Sequence, residues 1–247
     1  MPININGNIL SSDSSNSSGI IQNYPNIVKS GLVMWLDAGR LTSYSATGTT
    51  WSDLTVNFYN ATLVNGPAFS TAEYGGGSIK FVRASSTYAS VYRVPDSFWN
   101  GGSWTVSAWV NFTSVNNGGD NAIVGHGVQG ASNGIHLTER SGTTYFGLYA
   151  NDIAGTISLS ANIWYNLVWT YNSSGYLKQI YVNGVFDTSG GSVAYSGTGT
   201  NTELGRYPWG TTSLLNGNIA IMCFYNKVLS ANEILQNFNA DRSRFGV

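Results

Sequence analysis

The 247-residue chain has one cysteine, two histidines, five prolines and only 9% charged residues. Each scarcity excludes something. A single thiol, Cys223, rules out an internal disulfide and a cysteine-rich metal site, and its place in the apolar run 219–225 predicts a buried, inert group. Two imidazoles leave little for a histidine-based zinc site. Eleven Lys and Arg, scattered and matched by twelve Asp and Glu, form no stripe that could neutralise a phosphate backbone, so no nucleic-acid partner is expected. No apolar run approaches the ~18 residues of a spanning helix, so no membrane insertion is expected. The opening MPININGNIL has neither a basic region nor a sustained apolar one, and no secretory signal is read there.

A chain so poor in charge must draw its polar surface from 31 Ser, 27 Asn and 21 Thr. With 30 Gly these residues favour strands and tight turns, while the 42% of apolar residues supply a core. Residues 1–30 stand apart as an N-terminal arm and Ser/Asn-rich linker. SSDSSNSSG (11–19) is a spacer, and the alternating Ile3, Ile5 and Ile9 suit an assembly arm that pairs with the sheet edge of another chain.

From Gly31 to the end, strand signals recur roughly every 8 to 15 residues. In SWTVSAWVNF (103–112), Trp104, Val106, Ala108, Val110 and Phe112 fall on one face. GLVMWLD (31–37), SIKFV (78–82), STYASVY (86–92), GIHLTE (134–139), TTYFGLY (143–149), IWYNLVWTY (163–171), LKQIYV (177–182) and LLNGNIAIMCFY (214–225) complete the set. Asn183-Gly184 between apolar residues is a type I′ hairpin signal, because both central residues need positive φ. Ser230-Ala-Asn-Glu233 is a capping box, with Leu229 and Ile234 at staple spacing, and predicts one short C-terminal helix ending near Asp241. The pattern is that of an all-β, two-sheet antiparallel sandwich.

GLVMWLDAGR (31–40), TTWSDLTVNFYNATLVNGPAF (49–69), GGSIKF (76–81), WTVSAWVNF (104–112), WYNLVWTY (164–171), IYVNG (180–184) and LNGNIAIMCFYNKVLSANEILQNFNADRSRFG (215–246) resemble the laminin-G-like jelly rolls of the concanavalin A-like lectin/glucanase superfamily. The resemblance covers nearly all of residues 31–247 and implies two curved sheets of six or seven strands each. The variant with this opening and this ending is similar to those in virion proteins of tailed bacteriophages, cyanophages among them. It implies a virion structural protein, capsid-decorating or fibre-like, present in many copies or as a homo-oligomer. Its implied partners are capsid, tail or fibre proteins of the same particle and host-surface glycans. A free lectin-like carbohydrate-binding module is the alternative, and a glucan hydrolase the third reading. One departure concerns the turn after Phe81: relatives often carry Asp-rich turns there, whereas this chain reads FVRASSTYASV, which puts ion binding by that turn in doubt.

A retaining glycosidase needs two carboxylates about 5–5.5 Å apart, and residues i and i+2 of a strand lie about 7 Å apart on one face. Laminarinase-type glucanases use a Glu-x-Asp-x-x-Glu-like run. Here Glu73, Glu139, Glu203 and Glu233 lie on separate segments, and the aspartates are equally isolated. His126 and His136 have no Gly-x-Ser-x-Gly elbow and no Asp visibly placed to orient them. GVQGASNG (127–134) lacks a phosphate-cradling Lys. The chain is therefore expected not to be an enzyme.

The glycan candidates are Tyr207 and Trp209 in GRYPWGTTS (205–213), and Trp99 in PDSFWNGGS (95–103); each could instead pack on the sandwich rim. Trp109, Trp169 and Tyr171, set opposite their strands' other apolar residues, are read as a binding face or a second packed layer. Asp37 and Asp53 read as turn and hydrogen-bonding residues, and Trp35 and Trp51 as core. No cofactor is expected, with one possible exception: Asp120, Asn117 and Asn121 in NNGGDN (116–121) could offer oxygens to a weakly held Ca²⁺.

Overall fold

A computed structural model of the chain describes residues 26–71, 76–92, 94–116, 118–199, 201–210 and 212–247. Ile3, Ile5, Ile9 and Asn117 lie outside the described residues. The elements, in chain order, are strands β1 (Leu32–Asp37), β2 (Thr50–Trp51), β3 (Ala61–Val64), β4 (Ala68–Ser70), β5 (Ser78–Phe81) and β6 (Tyr88–Val91), then helix α1 (Asp96–Asn100). Strands β7 (Trp104–Phe112), β8 (Asn121–Gly127), β9 (Gly134–Arg140), β10 (Thr143–Gly147) and β11 (Asp152–Ala154) follow. The chain continues through β12 (Trp164–Asn172), β13 (Leu177–Val182), β14 (Val185–Gly191), β15 (Thr202–Leu204) and β16 (Gly217–Tyr225) to helix α2 (Ala231–Phe245).

These strands form two antiparallel sheets in a jelly-roll sandwich. The first runs β14-β13-β12-β7-β16-β5-β4, with β1 also paired to β16; the second runs β11-β10-β9-β8-β15-β6-β3-β2. Each has eight strands, not six or seven, because short strands such as β2, β4 and β11 extend the edges. The hairpin at Asn183-Gly184 has φ of 51° and 77°, as its residue types require.

Strand pleating explains why the central strands are apolar on both faces. On β7, Trp104, Val106, Ala108, Val110 and Phe112 enter the core between the sheets, whereas Trp109 points outward beneath α2. Trp109 stacks on Phe245, with centroids 4.1 Å apart, and on Phe238 at 5.7 Å. It belongs to a second packed layer, together with Trp164, Tyr181, Cys223 and Ile234. Trp169 and Tyr171 instead share the inner face with Leu167, so they are core residues and not an outer face. Trp51 and Trp35 are buried as expected. Burial pushes the Cys223 thiol far up, consistent with an inert group.

Helix α2 begins at the expected capping box: Ser230 Oγ accepts from the Glu233 amide at 3.3 Å, and Glu233 accepts from the Ser230 amide at 2.9 Å. It continues four residues past Asp241. Gly246, at φ 70°, ends it. Arg244 makes a bidentate pair with the buried Asp37 at 2.8 and 2.9 Å, fastening the last helix to the first strand. Ile27 and Val28 are also buried there, with the Val28 amide donating to Asn237 Oδ1 at 2.8 Å. Asp53 is a turn organiser that accepts from the amides of Trp35, Thr55 and Tyr59.

Candidate functional site

The outer face of the second sheet carries an open depression of about 420 Å³, lined by Asp120, Gln129, His136, Arg140, Tyr149, Tyr207, Trp209, Gly210, Thr212 and Ser213. Its floor is β9. Ile135 and Leu137 face the core, so the pleat turns His136 and Arg140 outward. His136 pairs across the ladder with Gly125 on one side and Gly147 on the other.

Those glycines are required by close approach. A Cβ on Gly147 would overlap the His136 ring, and one on Gly125 would come within 2.7 Å of Arg206 O and Tyr207 Cα. A Cβ on Gly134 would come within 2.8 Å of the Trp209 indole. Three adjacent strands thus lack side chains where the segment from Arg206 to Trp209 and the His136 ring lie down on the sheet. Tyr207 and Trp209 stack at 5.3 Å and 20°, with His136 5.5 Å from Tyr207 and Tyr149 6.4 Å from Trp209. Tyr207 is buried as the base of this cluster, while Trp209 and Tyr149 are half-buried at its mouth.

A polar chain runs beneath the aromatics. Tyr207 donates to Asp120 Oδ2 at 2.9 Å; Arg140 grips both Asp120 oxygens at 2.7 and 2.9 Å, and reaches Asp152 Oδ2 at 3.0 Å. Asp152 Oδ2 also lies 3.0 Å from His136 Nε2. Burial would raise the Asp152 carboxyl, but His136 and Arg140 outweigh it and hold it at about 2. Burial likewise opposes Asp120, and the Arg140 hydrogen bonds prevail, keeping it below the usual range. Burial, reinforced by Asp120, pushes the Tyr207 hydroxyl well up, so it stays a donor.

Of the sequence candidates, the structure brings Tyr207, Trp209 and Asp120 together. Trp99 is a correction: it is fully buried, donates to Thr202 Oγ1 at 2.9 Å and stacks on His126 at 5.3 Å, so it presents no face to a ligand. The calcium arrangement also differs from expectation. Consecutive residues of an extended chain point to opposite faces, so Asp120 joins the depression while Asn121 is buried inward. Asn121 Oδ1 accepts from Arg83 at 3.0 Å and from the Asn216 amide at 3.1 Å, and its amide nitrogen donates to Ser114 O at 2.8 Å. Among the described residues no three His, Cys, Asp or Glu side chains converge as a metal cluster. Sequence reasoning missed His136, Arg140, Tyr149 and Asp152 as site residues. It also found no carboxylate to orient either imidazole, yet Asp152 meets His136 and Asp96 lies 3.5 Å from His126.

The Laminin_G_3 family model, described as the concanavalin A-like lectin/glucanases superfamily, matches residues 83–235. No curated protein matches the sequence significantly. Among solved structures, a Trypanosoma rangeli sialidase in complex with the inhibitor DANA is similar, with TM-score 0.62 and 18% identity over 86% of this chain. The chain spans about a third of that sialidase, 33% of its length. Domain 4 of AbnA, an extracellular GH43 arabinanase from Geobacillus stearothermophilus, in complex with arabinotriose, gives TM-score 0.60 and 16% identity, covering 85% of this chain and 98% of that one. The binding domain of botulinum neurotoxin DC, in complex with rat synaptotagmin II, gives 0.61 and 17%, covering 85% and 51%. With more than half of its length inside the family model and its sheets in that arrangement, the chain belongs to the concanavalin A-like lectin/glucanase superfamily.

Proposed function

We propose that the chain is a glycan-binding jelly-roll module whose site is the depression on the second sheet. The observation that carries this reading is the mouth of that depression. Trp209 and Tyr149 offer aromatic faces beside the Gln129 amide and the Thr212 and Ser213 hydroxyls, a mixture of apolar surface and a few placed polar groups that suits a sugar ring. The arabinanase domain, matched over nearly its whole length, offers a precedent for a unit of this fold in complex with a sugar.

The module is proposed to bind and not to hydrolyse. A glycosidase acid needs a carboxyl with a raised pKa. Both carboxylates of this site are tied to Arg140 and held low. The finer reading is display on a bacteriophage particle, as a capsid-decorating or fibre-like protein attached through residues 1–30. Its support is the resemblance of the opening and closing segments, which Arg244 and Asp37 join in space. A free lectin is the alternative. Glycan-array binding by the full chain, lost in Trp209→Ala at an unchanged melting temperature, is the expected result. An array that stays blank, or one unaffected by Trp209→Ala, refutes the site.

A further inference from the structure

Resting on that reading, we infer that the depression selects uncharged glycans and rejects sugars bearing a carboxylate. Arg140 is the one Arg or Lys among the described lining residues, and the His136 ring beside it already has Nε2 on Asp152. Its Nε and Nη2 are spent on the two oxygens of Asp120, and Nη1 donates to Asp152. A bidentate guanidinium–carboxylate fork is the usual way a protein receives a sugar carboxylate, and here the fork is already filled from within. The guanidinium also lies 4.7 Å over the Tyr145 ring, which holds its plane in place.

Asp120 therefore lines the site, and Asp152 stands directly behind the lining, bonded to both Arg140 and His136. Asp152 has a quarter of its side chain in solvent, and the His136 and Arg140 hydrogen bonds keep it negative at neutral pH. An incoming carboxylate would meet the Asp120 charge, backed by Asp152, and find the Arg140 fork already filled, an arrangement that penalises like charge strongly. The groups left over for a ligand are hydroxyls, one amide and two aromatic faces, which suit neutral hydroxyl-rich rings. The same internal ion chain that orients His136 thus acts as a filter on ligand charge.

The test uses matched pairs: oligogalacturonate and oligoglucuronate trisaccharides against their carboxyl-reduced neutral forms, together with neutral arabinan, glucan and galactan trisaccharides, titrated into the full chain by calorimetry. The expected result is binding of at least one neutral trisaccharide, with a preference of about tenfold or more over a carboxylated partner. In Asp152→Asn, which removes the exposed charge and relieves one Arg140 contact, the ratio should narrow toward unity. A carboxylated form bound as well as or better than its neutral partner overturns the charge filter while leaving glycan binding intact. No binding of any neutral or acidic probe overturns both, and is distinguishable for that reason.

Discussion

Lys178 Nζ on β13 donates to both the carbonyl and the side-chain Oδ1 of Asn151, at 2.6 and 2.7 Å, reaching from the first sheet to the β10–β11 turn of the second. That turn holds Tyr149 and Ala150 at φ of 43° and 61°, a conformation that non-glycine residues adopt at a cost. The Leu148 amide closes it on Asn151 O at 3.1 Å. The fully buried ammonium, whose pKa burial lowers to about 8, therefore clamps the turn that presents Tyr149 at the mouth and delivers Asp152 to His136.

Lys178→Met should loosen this clamp. Asn151 Oδ1 loses its donor, worth about 1–3 kcal/mol if it stays buried, while relief of the buried charge returns part of that. Urea denaturation should show a net loss, and hydrogen exchange should show faster exchange at the Leu148 amide. Unchanged protection at Leu148 would mean that the turn holds itself.

Gly147→Ala tests the floor of the depression. The added methyl overlaps the His136 ring, so the ring must leave Asp152 or the strands must part. Overpacking of this kind costs about 1–3 kcal/mol. Glycan binding should fall sharply in a protein that still melts cooperatively; wild-type affinity would show that His136 does not shape the site.

The outer layer under α2 should carry much of the stability. Phe245→Ala removes the ring stacked on Trp109 and should cost about 3–5 kcal/mol, read as a fall in the denaturation midpoint. A loss below 1 kcal/mol would make the helix an ornament of the sheet.

Acid should act through opposing groups. Burial holds His126 at about 4, below its ordinary 6.5, so the unfolded chain binds more protons between those values and stability falls as pH drops through them. Asp241, pushed up to about 6 by burial, binds its proton in the folded state first; stability it forfeits at neutral pH returns as pH falls from about 6 to about 4. Asp152, held at about 2, adds a loss below about 4. A shallow profile from 6.5 to 4 and a steep one below are expected in chemical denaturation. NMR titration of the His126 ring with a midpoint near 6.5 would contradict its burial.

If the display reading holds, removing residues 1–25 should abolish attachment to a virion particle; normal particle occupancy would refute the arm. Cutting to residue 30 should cost stability as well, because Ile27 and Val28, each worth about 1.5–3 kcal/mol when buried, lie under α2.

The alternation of β7, the Asn183-Gly184 hairpin and the Ser230 cap were readable because each is written in neighbouring residues. The sequence pattern ends helix α2 four residues short because Asp241 interrupts the stripe of Ile234, Phe238 and Phe245. It is tolerated there through Arg244, a partner supplied by the tertiary fold. Strand β8 carries no strand signal in its sequence. Its Gly125 and Gly127 look like breakers in sequence, and only the Arg206–Tyr207 backbone lying over Gly125 shows what that glycine is for. Half of the site was hidden for the same reason. Tyr207 and Trp209 advertise themselves as aromatics in a loop, but the link from Asp120 through Arg140 and Asp152 to His136 joins residues on separate strands and loops, whose meeting depends on sheet order.

The chain enters the described body at Asn26, whose carbonyl accepts from Gln236 of α2 at 2.8 Å, on the outer flank of the first sheet. The depression opens on the outer flank of the second. The point of entry and the depression therefore lie on opposite faces of the sandwich. If the proposed display through residues 1–30 holds, each copy would present its depression outward without any hinge, and many copies side by side would make a layer of identical weak sites, whose grip on a repetitive polysaccharide grows by multivalency and not by the strength of any one contact.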